Sequence, residues 1–448
     1  MVSLREIGVD AAIAFVLLMV FSGNARGSYC WDHQQETYNA TFEPKTCSSG
    51  SSCTVTPFFS PGTSLQAYVQ LIDSAQESID IYTPSMKSWD EACTKDTDCP
   101  KKGSCTGCSI DQMKNETFTV FPALLNAVHE RGVKIRIIIN NFTFSACKDR
   151  VIPLDWLALN KIQIRMYATT TFQHSKFMSI DRGKKTAVSS VNWSHTSFMK
   201  NREAGVIVED CTCSALSLYL SVFDYDWETA IEYAITRTYE ESEIRIITDT
   251  APMPYPILPN NSIPGVFMTE LIPHTDVKVK KVYTSPDNAR STLLEYLDNA
   301  KKSLNLAIYQ VTDDELCRKL LELHKGGVNV TVLVSNIVIP PFNSRKAYEC
   351  YNNLTNEGMK GHIQRSYSKF RFSHEKYWII DGTIVHLSTG NWSPGDFPTG
   401  NSWEPHRKSG HSVNRDLEIV LEHPDLVDYF FQVYNADWAM GTEWQPKH

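Results

Sequence analysis

Residues 172–181 read FQHSKFMSID, and residues 372–381 read FSHEKYWIID. Both stretches carry the pattern His-x-Lys-x4-Asp on a strand-like run, Phe172–Ile180 in one and Phe372–Ile380 in the other. Side chains two residues apart on a strand project from the same face, so the His and Lys of each copy are expected to point into one site. Apolar neighbours such as Phe177 and Ile379 can then face the core. A surface His and Lys would explain one copy equally well, but two copies favour a functional site.

The matches continue on both sides of this pattern and keep the same order. LIDSAQESIDI at 71–81 resembles YLDNAKKSLNL at 296–306, and a helix, a glycine and a β-branched strand follow in each half. Downstream, Asn-Arg-Glu matches Asn-Arg-Asp, and an Asp-Trp pair recurs. An internal duplication follows, which predicts an α/β fold of two similar lobes. The predicted boundaries are a first lobe at 28–250 with a cysteine-rich insertion at about 88–118, a proline-rich linker at 251–264, and a second lobe at 265–448 with a polar insertion at 397–412.

Composition limits the class of protein. The chain has 448 residues, of which 42% are hydrophobic and 21% charged, with a net charge of −8. These values exclude wholesale disorder, collagen and a coiled-coil rod. The negative charge also disfavours a protein that coats nucleic-acid backbone, although a local basic pocket is still allowed.

The N-terminus and the cysteines indicate the cellular compartment in which the protein is expected. Residues 1–27 are predicted to be a signal peptide, since the apolar run from Ala11 to Phe21 is short for a bilayer span; a short membrane anchor is the alternative. The 12 cysteines favour an oxidising environment, and thus secretion or the endolysosomal lumen. Cys105 and Cys108 are expected in a disulfide-linked loop rather than a zinc site, with the pairing left open. Sequons such as Asn39 predict a glycoprotein.

The duplicated site is expected to hold two His, two Lys and two Asn, because an Asn-Trp-Ser follows each pattern. Lys and Asn can bind the non-bridging oxygens of a phosphodiester. One His can attack phosphorus to give a phosphohistidine, while the other protonates the leaving oxygen and then activates water. No cofactor or metal is expected, because two lysines supply the charge and Lys is not a normal zinc ligand. The predicted catalytic histidines are His174 and His374, and the predicted phosphate-binding residues are Lys176, Lys376, Asn192 and Asn391.

Carboxylates complete the predicted catalytic set. A carboxylate on the far nitrogen of each imidazole would fix its tautomer. Glu203 is the expected partner of His174, and Asp416 is the expected partner of His374. Asp181 and Asp381 end the two patterns and are included as catalytic, with a structural role at the strand end and adjacent turn as the alternative.

The paired motifs resemble those of the phospholipase D superfamily, over about residues 65–438. The resemblance implies an α-β-α sandwich with two pseudo-symmetric lobes and one active site between them. It also implies that His174 is the nucleophile and His374 the general acid, that the Lys and Asn residues bind phosphate, and that Glu203 and Asp416 orient the histidines. The first lobe departs from the family pattern at Ser189-Ser190-Val191, which could shift its loop slightly.

The substrate remains open between two classes. A secreted phospholipase D that converts a phospholipid such as phosphatidylcholine to phosphatidic acid is the preferred interpretation, with peripheral membrane contact through an exposed aromatic loop at 397–403. The alternative is a single-strand DNA or RNA exonuclease, since Cys211-Thr-Cys213 is similar to the animal endolysosomal branch of the superfamily. Nucleic acid is a partner only under that alternative, and no oligomeric state follows. A catalytically silent binding protein is disfavoured by the intact histidines.

Overall fold

The computed structural model of the chain describes residues 41–86, 107–114, 120–140, 150–167, 171–249, 270–339, 341–399 and 413–446. The predicted signal peptide, the proline-rich linker, most of the cysteine-rich insertion and residues 400–412 lie outside these described residues. No helix among the described residues is long and apolar enough to cross a membrane.

The first lobe is a mixed sheet with helices packed on it. A parallel unit, β4-β3-β2, continues through an antiparallel unit, β6-β7-β8-β1, and β9 covers the outer edge of β4. The strands are β1 (Cys53–Ser60), β2 (Ser78–Thr83), β3 (Lys134–Asn140), β4 (Gln163–Tyr167), β5 (Phe172–Gln173), β6 (Phe177–Ile180), β7 (Lys185–Ser189), β8 (Glu203–Glu209) and β9 (Ile231–Glu232). The helices are α1 (Ser64–Asp73), α2 (Ile110–Lys114), α3 (Val120–Arg131), α4 (Pro153–Leu159), α5 (His195–Met199), α6 (Ser217–Thr229) and α7 (Glu241–Thr248).

The second lobe repeats this arrangement strand for strand. Its sheet order is β17-β13-β12-β11-β14-β15-β16-β10, with the parallel and antiparallel pairs in the same places. The strands are β10 (His274–Ser285), β11 (Ser303–Ile308), β12 (Asn329–Val334), β13 (Ile363–Arg365), β14 (Lys376–Ile380), β15 (Ile384–Ser388), β16 (Asn414–Glu422) and β17 (Thr442–Glu443). The helices are α8 (Ala289–Asp298), α9 (Asp314–Lys325), α10 (Pro341–Leu354), which runs into a π-helical turn at Thr355–Met359, and α11 (Pro424–Met440).

The two sheets join edge to edge through the antiparallel pair β1–β10. Each lobe has its own apolar core on one face of its sheet, and a third core contains residues of both lobes. Side chains alternate across a strand, so neighbours can serve different cores. Phe58 packs in the first-lobe core and Phe59 in the shared one. The shared core also holds Phe177 and Ile379, as expected, and both long helices α6 and α11. The predicted two-lobed α/β duplication is therefore confirmed.

Disulfides hold parts of both lobes. The structure has Cys47–Cys213, Cys53–Cys211 and Cys317–Cys350. Cys108 is also disulfide-bonded, in agreement with the interpretation of the cysteine-rich insertion as a disulfide-linked loop rather than a zinc site.

Two local expectations are wrong. The motif strands do not run unbroken from residue 172 to 180 or from 372 to 380, since β6 begins at Phe177 and β14 at Lys376. Exposure was expected for an aromatic loop at 397–403; its first residue, Phe397, is instead fully buried in the second-lobe core, while residues 400–403 lie outside the described residues. Phe397 packs against Trp378, so its ring is withdrawn from solvent.

Candidate active site

A cavity of about 890 Å³ lies where the two lobes meet. Its lining comes from both halves in matching pairs, which is what a duplicated site requires. The pairs are His174 with His374, Asn192 with Asn391, and Phe172 with Phe372.

Each motif histidine stands on a segment that crosses to the opposite lobe. The backbone of residues 172–174 pairs with β16, where Phe172 N donates to Val413 O at 2.7 Å and His174 N donates to Arg415 O at 3.0 Å. The second lobe mirrors this, since His374 N donates to Arg202 O at 2.7 Å. These bonds to the other lobe account for the break in each predicted strand. They also fix the backbone of both histidines at the interface.

The carboxylate partners are exchanged between lobes, contrary to the prediction. Nδ1 of His174 lies 3.1 Å from Oδ1 of Asp416, and Nδ1 of His374 lies 2.8 Å from Oε2 of Glu203. The repeat pattern predicts pairing within one lobe, but the crossing of the histidine segments brings each ring to the other lobe's carboxylate. The contact still has the expected chemical effect, because a carboxylate at Nδ1 leaves Nε2 as the reactive ring nitrogen.

A hydroxyl from the preceding strand end holds each carboxylate. Ser190 Oγ donates to Glu203 at 2.7 Å, and Thr389 Oγ1 donates to Asp416 at 2.6 Å. Ser190 and Thr389 occupy the same place in the two repeats. The departure from the family pattern at Ser189-Ser190-Val191 therefore leaves this contact intact.

The two motif lysines are fully buried and, unlike the histidines and asparagines, are not among the residues that line the cavity. Lys176 Nζ donates to the backbone oxygens of His174 and, at 3.2 Å, Thr389, while Lys376 Nζ donates to His374 O at 2.7 Å. Burial lowers the pKa of Lys176 to about 8 and the pKa of Lys376 to about 7, and in Lys376 the neighbouring Lys176 adds to the effect. A buried cation pair of this kind favours the arrival of an anion.

Asn192 and Asn391 both line the cavity, as predicted for phosphate-binding residues. Oδ1 of Asn391 has no hydrogen-bond partner among the described residues, although it is buried. An amide held at a cavity wall with spare hydrogen-bonding capacity can contact substrate.

Asp181 and Asp381 do not reach this cavity, and their inclusion in the catalytic set is wrong. Asp181 accepts hydrogen bonds from the backbone N–H groups of residues 76–78, with the shortest at 2.7 Å from Glu77 N. Asp381 accepts the equivalent bonds from residues 301–303. Both adopt positive φ, at 48° and 54°. They tie the end of the motif strand to the start of the neighbouring strand, which is the structural alternative.

The two histidines have different electrostatic surroundings. Burial lowers the pKa of His374 to about 4, with Lys376 adding to this effect and Glu203 opposing it. Burial and Lys176 act the same way on His174, but two carboxylates outweigh them and raise its pKa above the ordinary value. One of these is Asp416, and the other is Asp396, whose Oδ1 lies 3.1 Å from His174 Nδ1.

Sequence reasoning missed Asp396 and the motif arginines. Arg202 pairs with Asp437 at 2.8 Å and Arg415 pairs with Asp226 at 2.9 Å, all four fully buried. The signal for these pairs was present, since the arginine of Asn-Arg-Glu/Asp and the aspartate of Asp-Trp recur in both repeats. Asp396 had no such signal, because the first repeat has no acid at the matching position.

His174, Asp396 and Asp416 are the described residues best arranged to hold a cation, since their ligand atoms lie within 4.8 Å of one another. Their convergence is already explained by hydrogen bonds, because both carboxylates meet the same ring nitrogen. We therefore interpret the trio as a hydrogen-bonded acid–base cluster.

Comparison with known proteins agrees with the geometry. A family model described as "Cardiolipin synthase, PLD-like domain" matches residues 108–227 and 293–438, one segment in each lobe. A mitochondrial cardiolipin hydrolase from Chlamydomonas reinhardtii is 23% identical over 158 residues, which are 35% of this chain and 61% of that protein. A probable phospholipase D from Caenorhabditis elegans is 22% identical over 415 residues, which are 85% of this chain and 67% of that protein.

Among solved structures, phosphatidylserine synthase from Haemophilus influenzae aligns with 90% of this chain and 89% of its own, with a TM-score of 0.57 and 10% identity. This similarity shows the shared fold. The chain spans less than two thirds of the length of the algal hydrolase.

Proposed function

The chain belongs to the phospholipase D superfamily, and from that membership we propose that it is a phosphodiesterase that hydrolyses a phospholipid, such as phosphatidylcholine, to phosphatidic acid and a free head group. One observation carries the proposal. Two histidines line one cavity, and each has its Nδ1 on a buried carboxylate supplied by the opposite lobe.

The surrounding groups suit a phosphodiester. Lys176 and Lys376 supply positive charge beside the histidines, and Asn192 and Asn391 supply neutral donors at the cavity wall. In a site of low dielectric constant, fixed donors stabilise the charge that develops on the non-bridging oxygens during displacement. We assign phosphate binding to these four residues.

The two imidazoles divide the covalent chemistry between them. One Nε2 attacks phosphorus and forms a phosphohistidine, while the other donates its proton to the leaving oxygen. The second imidazole then removes a proton from water, which attacks phosphorus and releases the first histidine. Glu203 and Asp416 hold the rings in the required tautomer throughout.

Two features favour a lipid substrate. The relatives are named for cardiolipin hydrolysis and phospholipase D activity. In addition, Ile337 and Ile339 are 48% and 56% exposed, and Ile339 lines the cavity. An apolar rim beside a polar cleft suits a substrate with acyl chains at a membrane surface. The disulfides agree with action outside the cytosol, in the secreted or endolysosomal setting predicted from the sequence.

A single-strand nuclease is the second candidate. Phe172, Phe372 and Tyr309 line the cavity, and the Tyr309 ring lies 6.1 Å from Phe372 and 5.0 Å from His374. Aromatic rings beside a phosphate site can stack nucleobases.

The test uses the purified protein with phosphatidylcholine vesicles and, separately, 5′-labelled single-stranded DNA, both with EDTA. We expect head-group release that His374→Ala abolishes and that His324→Ala, a control on α9 outside the cavity lining, leaves unchanged. Shortening of the DNA with intact lipid would establish the nuclease instead. Activity that survives in His374→Ala would contradict the two-histidine mechanism.

A further inference from the structure

The two repeats differ at one position beside the histidines. In each lobe, the serine of Asn-Trp-Ser accepts a hydrogen bond from the backbone N–H three residues later. Ser194 Oγ accepts from Ser197 N at 3.3 Å, and Ser393 Oγ accepts from Asp396 N at 3.2 Å. The same turn therefore presents a neutral hydroxyl in the first lobe and a carboxylate in the second.

Asp396 is held in place on several sides. Its side chain accepts hydrogen bonds from Asn414 Nδ2 at 2.6 Å and Ser393 Oγ at 2.5 Å, and it is 1% exposed. Its Oδ1 lies 3.1 Å from His174 Nδ1. The first-lobe counterpart, Ser197, accepts the matching hydrogen bonds through its hydroxyl, from Ser194 Oγ at 3.2 Å and from Asn201 Nδ2 at 3.5 Å. The carboxylate therefore adds a charge to an otherwise repeated arrangement.

This charge makes the two histidines unequal. The charged groups that face His174 are Asp416, Asp396 and Lys176. Those that face His374 are Glu203, Lys376 and Lys176. Asp396 and Asp416 are also hydrogen-bonded to each other, so His174 faces a coupled pair of carboxyl groups and one ammonium group. His374 faces one carboxyl group and two ammonium groups.

We propose that Asp396 is a positioning residue that keeps a proton on His174, so that His174 is the general acid and His374 is the nucleophile. This inference rests on the proposed phosphodiesterase function, and it reverses the assignment that the family resemblance implies. Asp396 acts through His174 and not on the substrate.

The reaction balances with these roles. Neutral His374 attacks through Nε2, and a P–N bond forms as the P–O bond to the leaving group breaks. His174 transfers its Nε2 proton to the leaving oxygen and becomes neutral. Water then attacks phosphorus and gives a proton to His174 Nε2, while the P–N bond breaks and His374 leaves neutral. Both histidines end as they began.

The titration behaviour of the free site agrees. Burial lowers the pKa of His374 to about 4, so this ring is neutral and nucleophilic at physiological pH. Burial and Lys176 lower the pKa of His174, but Asp416 and Asp396 raise it by more, so the pKa of His174 lies above its ordinary value. Burial opposes ionisation of Asp396, but His174 and its hydrogen bonds hold the pKa of Asp396 below its usual range. Burial and the proximity of Asp396 raise the pKa of Asp416.

The decisive experiment identifies the histidine that becomes phosphorylated. Bis(p-nitrophenyl) phosphate has a leaving group that departs without a proton donor. With this substrate, His174→Ala should release one p-nitrophenolate per enzyme and accumulate a p-nitrophenyl phosphoryl group on His374, found by peptide mapping after an alkaline quench. His374→Ala should form no adduct. A p-nitrophenyl phosphoryl group on His174 in His374→Ala would overturn the assignment while leaving the phosphodiesterase function intact.

Asp396 is tested with Asp396→Ser, which installs the residue of the first lobe, and Asp396→Asn. Both variants should lose at least tenfold in kcat on an alkyl phosphodiester but much less on bis(p-nitrophenyl) phosphate. The alkaline limb of the pH–kcat profile should move to lower pH. Equal losses on both substrates with an unmoved profile would mean a merely structural role and would overturn the proposal.

The titration of the two histidines can be measured without a substrate, which separates a test of this inference from a test of the proposed phosphodiesterase function. Nuclear magnetic resonance of the ¹⁵N-histidine-labelled protein should show His174 titrating at higher pH than His374, and Asp396→Asn should lower the midpoint of His174 alone. If the order is reversed, the inference fails whatever the substrate. If the order holds but the wild-type protein cleaves no phosphodiester, the proposed function and the catalytic roles fail together.

Discussion

At the scale of single residues, the pairing of each histidine with a carboxylate of the other lobe decides the chemistry. The residues themselves could be predicted, because His, Lys, Asn and the acidic residues all recur in two matching places. Their pairing could not, since the repeat pattern gives positions within a lobe and says nothing about which lobe a side chain faces. Glu203 and Asp416 were therefore each assigned to the wrong ring.

The Glu203→Gln variant tests the role of this contact at His374. The amide has nearly the same shape but cannot accept the Nδ1 proton with a full negative charge, so the tautomer with a reactive Nε2 loses support. We expect kcat to fall by about 10²- to 10⁴-fold, the usual range for acid–base and orienting groups. The wild-type melting temperature should be nearly retained. Substitution of the exposed Glu77 by Gln serves as the control, and a loss of less than threefold in Glu203→Gln would contradict the assignment.

The pH dependence of kcat/KM follows from the groups of the free site. His374 must be neutral to attack, so activity should fall as the pH drops below its pKa of about 4. Lys376 must be protonated to bind phosphate, so activity should fall as the pH rises above about 7. The pH profile of kcat/KM should therefore be bell-shaped, with its maximum below pH 7. A kcat/KM that still rises between pH 7 and 9 on a soluble phosphodiester would contradict this prediction.

At the scale of secondary-structure elements, the ends of the motif strands are fixed by aspartates at positive φ. The sequence identified the helices, glycines and strands of both repeats well, because hydrophobic periodicity and helix stop signals are local. It did not identify the break before β6 and β14. That break exists because residues 172–174 and 372–374 bond to the opposite lobe, which is a tertiary effect.

Asp181→Ala should lower stability without altering the chemistry. Asp181 is 7% exposed, and its carboxylate accepts hydrogen bonds from the backbone N–H groups of residues 76–78, so its loss removes the side-chain acceptor of partly buried donors. The expected cost is about 1–3 kcal/mol in the free energy of unfolding, measured by urea denaturation. Asp181→Asn, which tolerates positive φ, should lose less. The kcat of the folded enzyme should stay within about twofold of the wild-type value, whereas a catalytic aspartate would cost at least 10²-fold.

The ionised side chain of Asp181 should also stabilise the fold in a way that depends on pH. Burial opposes ionisation, but the N–H groups of Ser78, Glu77 and Gln76 lower the pKa of Asp181. A group whose folded pKa is depressed stabilises the fold above its unfolded pKa of about 4, and that contribution disappears as the pH falls through the folded value. The difference in stability between wild type and Asp181→Ala should therefore narrow below about pH 4.

At the scale of the whole molecule, the two lobes are joined at several places, to which both lobes contribute residues. The sheets share the β1–β10 edge, the shared core contains side chains from both halves, and the site histidines depend on the other lobe's carboxylates. The duplication predicted two lobes, and the family resemblance implied one active site between them, but neither indicated that each histidine contacts the other lobe's carboxylate. The symmetry also does not extend to Asp396, because point differences between repeats lie outside any repeat pattern.

The buried arginine pairs provide the sharpest test of this connection. Arg415 is fully buried in the second lobe and bonds to Asp226 at 2.9 Å in the first and to Asp287 at 3.0 Å in its own. Arg415→Ala leaves these carboxylates in the core without their cation, which costs about 3–5 kcal/mol in the free energy of unfolding. The control is Arg245→Ala, since Arg245 pairs with Glu241 on the surface, with side chains 71% and 80% exposed. Exposed pairs of this kind contribute about 0–1 kcal/mol.

Chemical denaturation of both variants, followed by fluorescence and by far-ultraviolet circular dichroism, would measure these costs. The backbone oxygen of Arg415 accepts a hydrogen bond from His174 N at 3.0 Å. A shift of this backbone after loss of the side chain should therefore disturb the active site as well as the fold. The double variant Arg415→Met/Asp226→Leu removes Arg415 and one of its two buried acids but keeps Asp287, so it should recover only part of the stability lost in Arg415→Ala. If Arg415→Ala were no less stable than Arg245→Ala, the buried pairs would not be what holds the lobes together. The shared apolar core and the β1–β10 edge would then have to account for the assembly of the site.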